Sequence, residues 1–141
     1  MYLTYEEFIN MSGTLDEAIY NDYDNLEFEA RAFIDWYTFN RLQNESTYPE
    51  AVKRCMCKLI MLIRDKQQAT MIGSQSADGL KKAGIVAESN DGVSTTYNTL
   101  SANEAAKLIK NNLESTVRMY LHGVRNSLGH KLLYRGVYAN E

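Results

Sequence analysis

Residue types that perform acid–base or metal chemistry are few in this sequence, and their spacing does not match a known kind of site. Neither His122 nor His130 has a second metal-ligating residue three or four positions away, the spacing that places two ligands on one helix face. Glu27 and Glu29 project from different faces of one predicted helix, so an acid–base pair between them would require a chance tertiary contact. These residues predict neither a catalytic nor a metal site.

The two cysteines, Cys55 and Cys57, give no stronger signal. They lie two positions apart on a predicted helix and point to different faces, which excludes a disulfide or a shared metal between them. A Cys–His nucleophilic pair is formed in space, and nothing in the sequence indicates one. Glu88 and Asp91 near a predicted turn could bind a cation, although carboxylates are common in turns. We expect a protein that is not an enzyme and needs no cofactor.

Charge is distributed unevenly along the chain. Residues 1–50 contain 11 acidic and 2 basic residues, a balance of −9, whereas residues 51–141 contain 7 and 13, a balance of +6. Two interpretations stay open at this point. The faces can simply be solvated differently, or an acidic side and a basic side can pack head to tail, and such heterologous contacts close into rings. The net charge of −3 and the lack of a recognition-helix motif argue against sequence-specific DNA binding.

The apolar spacing predicts which elements position these residues. The chain contains one proline, and its apolar residues repeat at helical spacing. It is predicted to be mainly α-helical, with a single domain over 1–141 that forms a bundle of three to four helices. A long β-hairpin excursion separates the last two long helices, and an extended tail follows the last one. Capping boxes at Thr4–Glu7 and Ser101–Glu104 and the proline at position 49 mark three helix starts. The predicted helices cover about 4–11, 23–42, 49–71 and 102–122.

The helix over 49–71 contains the strongest apolar stripe and is predicted to be the centre of the bundle. The stripe consists of Val52, Cys55, Met56, Leu59, Ile60 and Ile63. Cys55 is accordingly expected to be a buried thiol. Trp36 in the preceding helix could belong to the core or face a partner, and the core is favoured because large aromatic side chains usually bury most of their area.

No apolar run approaches the roughly 20 residues that a membrane helix needs. The first residues have neither the basic start nor the apolar stretch of a signal peptide. We therefore expect a product of the cytoplasm without a membrane partner.

The stretch over about 74–100 differs from the helices on either side. Asn90 followed by Asp91-Gly92 favours the positive φ angles of a tight hairpin turn, and the flanking residues are β-branched or aromatic. A two-stranded hairpin alone in water is marginally stable. We expect this hairpin to rest on something beyond its own strands.

The tail over about 124–141 breaks the helical pattern and yet stays apolar. Gly129 and Gly136 interrupt any helix, but strongly apolar residues surround them, whereas a free tail is normally polar. Two alternatives stay open. The tail either packs back on the bundle, or it docks into a partner and becomes ordered there.

Five segments together resemble the head–tail connector (adaptor) proteins of long-tailed phages and Gram-positive prophages. In chain order they are YLTYEEFINMSGTLDEA, LEFEARAFIDWYTFNRLQ, YPEAVKRCMCKLI, AESNDGVSTTYNT and GHKLLYRGV, at 2–18, 26–43, 48–60, 87–99 and 129–137. The fourth segment is similar to the family's serine-rich SES…DG-S-SY signature, and the fifth to its terminal LLYRG motif. The segments span almost the whole chain. The acidic stretch from Ala18 to Asn25 departs from the family pattern by its greater length.

The resemblance implies a structural role in the virion. Members form a ring, commonly of twelve copies, beneath the portal protein, and they join the portal to the stopper or tail-completion protein. The ring lies in the neck of the virion, at the head–tail interface, after its subunits are made in the host cytoplasm. Packaged DNA passes through the ring without sequence-specific binding.

The resemblance also implies two sets of contact residues. The family's C-terminal segment engages the portal, which maps here onto Val124, Arg125, Leu132, Leu133, Tyr134, Arg135, Val137 and Tyr138. The family's loop contacts a neighbouring subunit or lines the channel, which maps onto Ile85, Val86, Glu88, Ser89, Asn90, Asp91, Gly92, Val93 and Tyr97. An alternative function is a small helical regulatory or partner-recruitment module with an apolar docking tail, and a third is a degenerate enzyme scaffold.

Overall fold

The computed structural model describes residues 1–74, 87–90, 93–96 and 102–138, and it describes side chains over 1–68 and 107–138. Over these ranges the chain is mainly helical, as the apolar spacing predicts. The helices are α1 (Tyr5–Ser12), α2 (Glu17–Thr38), α3 (Glu50–Ser74) and α4 (Ala102–Leu121). None of the described helices is long and apolar enough to cross a membrane.

Helix α1 begins with the predicted capping box. The Thr4 hydroxyl accepts a hydrogen bond from the Glu7 N–H, and the Glu7 carboxylate accepts one from the Thr4 N–H. The helix ends at Gly13, which has a φ of 67°, a left-handed conformation that costs glycine little. The Asp16 side chain then accepts a hydrogen bond from the Ala18 N–H, so α2 begins earlier than the predicted start near residue 23.

Helix α2 ends before the predicted boundary near residue 42. Phe39 and Asn40 both adopt left-handed conformations, with φ values of 56° and 60°. Two such residues cannot continue a right-handed helix. The chain turns inward here, and as a result Arg41 and Leu42 are both buried.

Helix α3 lies at the centre of the bundle, as predicted, and packs against α1, α2 and α4. Its predicted stripe is buried throughout, which confirms the buried thiol at Cys55. α2 adds Leu26, Ala30 and Ile34 to the core, and α4 adds Leu113, Val117 and Leu121. Tyr2 and Leu3 at the start of the chain and Leu132 in the tail complete the same cluster.

The assignment of Trp36 to the core is wrong. Its side chain is 77% exposed, whereas Ile34 is fully buried. Two residues along an α-helix rotate the side chain by about 200°, so a residue two positions after an inward one points outward. The tryptophan therefore lies on the outer face of α2.

Two short strands lie between α3 and α4. β1 (Ala87–Asn90) pairs antiparallel with β2 (Val93–Thr96), and Asn90 is opposite Val93. The rest of the predicted excursion, including the turn residues Asp91 and Gly92, falls outside the described residues. The long hairpin over 74–100 and the second capping box at Ser101–Glu104 therefore stay predictions.

The C-terminal tail packs back on the bundle, which is the first of the two alternatives. The Leu132 N–H donates to the Val124 carbonyl at 2.9 Å, and Arg125 and Lys131 form an isolated antiparallel bridge. The Leu132 side chain is fully buried in the core cluster. Over 124–138 the tail is thus part of the folded domain.

Candidate interaction surfaces

An open groove lies between the outer face of α2, the end of α4 and the tail, and we name it the aromatic groove. Its most exposed wall is formed by Phe28, Trp36 and Phe39, which are 61%, 77% and 50% exposed. Leu133 of the tail, which is half-buried, also lines the groove. The groove volume of about 1280 Å³ exceeds the roughly 300–1,000 Å³ typical of small-molecule pockets. Its size and openness suit a segment of a protein.

The exposed aromatic residues follow helical spacing on α2. Phe28, Ala32 and Trp36 lie four residues apart on the outer face, while Leu26 and Ile34 belong to the buried inner face. Helix α2 is therefore apolar on two faces, and the described part of the chain covers one of them. Contiguous exposed apolar surface of this kind marks interaction sites.

Basic side chains from outside α2 also line the groove. They are Arg118 and His122 of α4 and Arg135 of the tail, and the one carboxylate in the described lining is that of Asp35. Neither Arg118 nor Arg135 forms an ion pair with any described residue. Arg31 differs, because its Nε lies 3.4 Å from a carboxylate oxygen of Glu27. The groove thus combines exposed aromatic rings with guanidinium groups that have no carboxylate partner among the described residues.

Two tyrosines in or beside α2 have raised pKa values, and each lies near a carboxylate. Burial raises the pKa of Tyr37 to about 12, and a hydrogen bond to Glu114 of α4 acts in the same direction. Burial also raises the pKa of Tyr2, whose hydroxyl donates to Asp35. Both phenols therefore stay protonated at neutral pH, and the Tyr2 hydroxyl joins the start of the chain to α2.

The tail is held against the bundle by Arg41, an arrangement that we name the Arg41 clamp. Its Nη1 donates to the carbonyl oxygens of Lys131 at 3.2 Å, Leu132 at 3.3 Å and Tyr134 at 2.5 Å. Its Nη2 donates to the Gly136 carbonyl at 2.8 Å. A guanidinium has five N–H donors in a rigid fork, which suits a curved run of backbone carbonyls.

Tyr138 adds side-chain contacts to the Arg41 clamp. The Arg41 guanidinium lies 5.0 Å from the centre of the Tyr138 ring, within the range of a cation–π contact. The same ring stacks on His130, with centroids 3.9 Å apart and planes 2° from parallel. The Tyr138 hydroxyl accepts a hydrogen bond from the Lys131 N–H at 2.8 Å. These contacts fix the last described residues of the tail.

The residues predicted to bind a portal fall into three groups. Leu132 is fully buried, so it is an anchor within its own chain. Val124, Leu133 and Tyr138 are half-buried. Arg125, Tyr134, Arg135 and Val137 are exposed, with Val137 at 83%. The exposed group is the part of the tail that a partner can reach without displacing it.

The predicted hairpin contacts are described only in part. Glu88 and Ser89 lie in β1, opposite Thr95 and Ser94, and Val93 begins β2. Ile85, Val86, Asp91, Gly92 and Tyr97 fall outside the described residues. Their contact with a neighbouring subunit or a channel stays a prediction.

Three of the residues considered first for chemistry, Cys55, Cys57 and Glu27, are buried in the fold. Burial raises the pKa of the Cys55 thiol to about 12, and burial also raises the pKa of Cys57. Glu27 is buried and accepts a hydrogen bond from the Tyr2 N–H at 2.7 Å, whereas Glu29 is exposed. Among the described residues, no group of three or more His, Cys, Asp or Glu could hold a metal ion.

Sequence reasoning missed both the Arg41 clamp and the aromatic groove. The groove had a usable signal, since Phe28, Ala32 and Trp36 repeat at helical spacing on the face of α2 opposite its buried residues. Arg41 had none, because the carbonyls that accept its hydrogen bonds lie 90 to 95 positions away and no side-chain pattern encodes them.

No known protein family, curated protein or solved structure matches this chain.

Proposed function

We propose that this chain is a structural subunit of a head–tail connector ring, which extends the DNA channel beneath a phage portal and joins the head to the stopper or tail. In this role it performs no catalytic step and needs no cofactor. Its partners are the portal protein, the stopper or tail-completion protein and further copies of itself, in a ring of about twelve by family resemblance. It belongs to the neck of the virion, and packaged DNA passes through the ring without sequence-specific contacts.

The observation that supports this proposal best is the exposed aromatic groove on a small, well-packed helical domain. A single domain that buries a full core has no need to leave Phe28, Trp36 and Phe39 exposed, unless that surface meets another protein. Tyrosine, tryptophan, phenylalanine and arginine are the residues enriched at the centres of protein interfaces. The proposal also rests on the five segments that resemble the connector family in the family's order.

The tail suits portal binding in a specific way. Leu132 and the Arg41 clamp fix its base on the bundle, while Tyr134, Arg135 and Val137 face solvent. A tail that is already ordered loses less conformational entropy on binding than a free one. We therefore assign the portal contact to these three exposed residues, with Leu132 supporting the backbone beneath them.

The test is electron microscopy of the chain mixed with its cognate portal protein, beside light scattering of the chain alone. We expect rings stacked on the portal. The variant Tyr134→Ala/Arg135→Glu/Val137→Asp should keep its helical circular dichroism and lose portal binding. The matched control is Lys131→Ala, an exposed tail residue outside this group, which should bind as the wild type does. A triple variant that still decorates the portal would remove the tail assignment, and a wild-type chain that never associates would remove the connector function.

The aromatic groove also supports the alternative of a partner-recruitment module. A monomer with no affinity for any ring, but with saturable binding of one protein at Trp36, would favour that function. The two proposals differ in stoichiometry, because recruitment needs one copy per partner and a connector needs many copies per portal.

A further inference from the structure

We infer that the aromatic groove of one copy receives the start of α2 from a second copy, in a head-to-tail contact. The inserted surface consists of Leu15, Glu17, Tyr20 and Asp24, and we name it the acidic edge. The closure of these contacts into a ring rests on the proposed function. The contact between two copies rests on the properties of the two surfaces alone.

The acidic edge combines exposed apolar area with unpaired charge. Leu15 is 81% exposed and Tyr20 is 63% exposed, which is unusual for residues of this size. Glu17 and Asp24 are exposed, and neither forms an ion pair or hydrogen bond with any described residue. Glu17, Tyr20 and Asp24 are spaced by three and four residues, so they share one side of the first two turns of α2.

The groove is complementary to this edge in both respects. Its rings, Phe28, Trp36 and Phe39, offer apolar area to Leu15 and Tyr20. Arg118 offers a guanidinium group that lacks a carboxylate partner in the described chain. The apolar side chains of the edge would contact the aromatic rings of the groove, and the carboxylates of the edge would pair with its basic side chains. Charge complementarity of this kind fixes the register of an interface.

The edge cannot fill the groove of its own chain. The edge lies on the first two turns of α2 and just before its N-cap, and the aromatic wall of the groove begins one turn later on the same helix, at Phe28. A rigid helix cannot fold back on itself, so the edge cannot enter the groove beside it. A second copy is therefore the occupant that satisfies the charges of both surfaces. In the head-to-tail arrangement each subunit inserts its edge into one neighbour and receives the edge of another, and such heterologous contacts propagate until a ring closes.

The single tryptophan of the chain makes this contact directly measurable, because Trp36 lies in the groove. The reporter is Glu17→Lys/Asp24→Lys, which keeps the groove and loses the edge. The titrant is Trp36→Ala/Arg118→Glu, which keeps the edge, has no tryptophan and leaves the portal-contact residue Arg135 unchanged. We expect a saturable blue shift of the reporter's emission as the ring becomes desolvated.

The matched control titrant carries Glu17→Lys/Asp24→Lys in addition to the substitutions of the titrant. We expect its apparent Kd to be at least ~10-fold higher than that of the titrant. Circular dichroism of all three variants checks that they are folded. Equal shifts with both titrants, or no shift up to about millimolar concentrations, would overturn the contact.

Two further measurements separate the geometry and the proposed function from the contact. Sedimentation of the wild-type chain should show assemblies beyond the dimer, and a wild type that stops at a dimer overturns the head-to-tail arrangement. If the reporter Glu17→Lys/Asp24→Lys forms the same rings on portal as the wild type does, the groove–edge contact is wrong and the connector function is still supported. A groove–edge contact in a chain that never binds portal would support the inference and defeat the connector function.

Discussion

Arg41 and Gly136 are joined across 95 positions of sequence, with the Arg41 Nη2 donating to the Gly136 carbonyl at 2.8 Å. The arginine can reach the tail because α2 ends in two left-handed residues, which turn the chain toward the bundle. Its guanidinium is buried, and the hydrogen bonds given above go to backbone carbonyls, which every tail residue supplies whatever its side chain.

Replacing Arg41 should release the tail. Hydrogen bonds to a charged group contribute about 1.5–3 kcal/mol each to stability, and several carbonyls lose their donor together in Arg41→Ala. We expect the free energy of unfolding to fall by about 2–4 kcal/mol in that variant. Arg41→Lys should recover only part of it, since an ammonium lacks the planar fork. Urea denaturation measures the loss, and hydrogen exchange of the amides over 131–136 locates it.

Arg125→Ala is the matched control for this prediction. Arg125 is an exposed arginine of the same tail, and its Nη1 donates to the Gly129 carbonyl at 2.6 Å. An exposed local contact contributes little, so we expect a change within about 0.5–1 kcal/mol. Equal effects of the two substitutions would show that Arg41 does not hold the tail.

The apolar part of the tail attachment is concentrated at Leu132. Because this side chain is fully buried among core residues, Leu132→Ala should lower the free energy of unfolding by about 2–5 kcal/mol. Val137 is 83% exposed, so Val137→Ala should change it by less than about 0.5 kcal/mol. Thermal unfolding of both variants makes the comparison. A stable Leu132→Ala protein would contradict the packed tail.

Substitutions on the two faces of α2 should have different effects, on stability at the inner face and on binding at the outer face. Ile34 is fully buried, and Ile34→Ala should cost about 2–5 kcal/mol of folding free energy. Trp36 is largely exposed, so Trp36→Ala should leave stability within about 0.5 kcal/mol of the wild type. Trp36→Ala should also weaken the binding of a second copy at the aromatic groove by roughly 30-fold, as truncation of an interface hot spot does. Chemical denaturation and a binding titration, run on both variants, test the division.

The parts of this fold that follow local rules could be predicted from the sequence. The capping box at Thr4, the central stripe of α3 and the buried Cys55 depend on residues a few positions apart, and periodicity describes them well. The choice between two apolar faces of α2 could not be made in the same way. Both Ile34 and Trp36 fit a helical stripe, and only the packing of α3 decides which one is buried.

The tail marks a second limit of sequence reasoning. Its apolar residues suited either a partner or the bundle, because burial depends on a surface that the tail sequence does not contain. The deciding features are a cavity that Leu132 fills and a guanidinium from the end of α2. Both are products of tertiary structure, so a local pattern left the two alternatives equal.

The buried cysteines should be unreactive in the folded protein. Burial raises the pKa of Cys55 to about 12 and raises that of Cys57, so at pH 8 both are thiols, which are poor nucleophiles. We expect a colourimetric thiol reagent to label neither residue in native buffer and both after denaturation. Cys55→Ala should fold normally or lose little stability, which gives a chain with one thiol for separate rate measurements. Rapid native labelling would contradict the packed core at α3.

Acid should weaken the link between α1 and α3 through Glu7. The hydrogen bond from Lys53 of α3 lowers the pKa of the Glu7 carboxyl, and the backbone N–H of Thr4 acts in the same direction. A folded-state pKa below the unfolded one means that the contribution is complete above the unfolded pKa and is lost as pH falls through the folded pKa. Stability measured by urea denaturation should therefore decline from about pH 5 to pH 3, and Glu7→Gln should flatten that part of the profile. Glu6→Gln, in the same helical turn, is the control, because Glu6 is exposed and makes no ion pair with the described residues. A profile that Glu7→Gln leaves unchanged would show that other carboxyls determine the acid response.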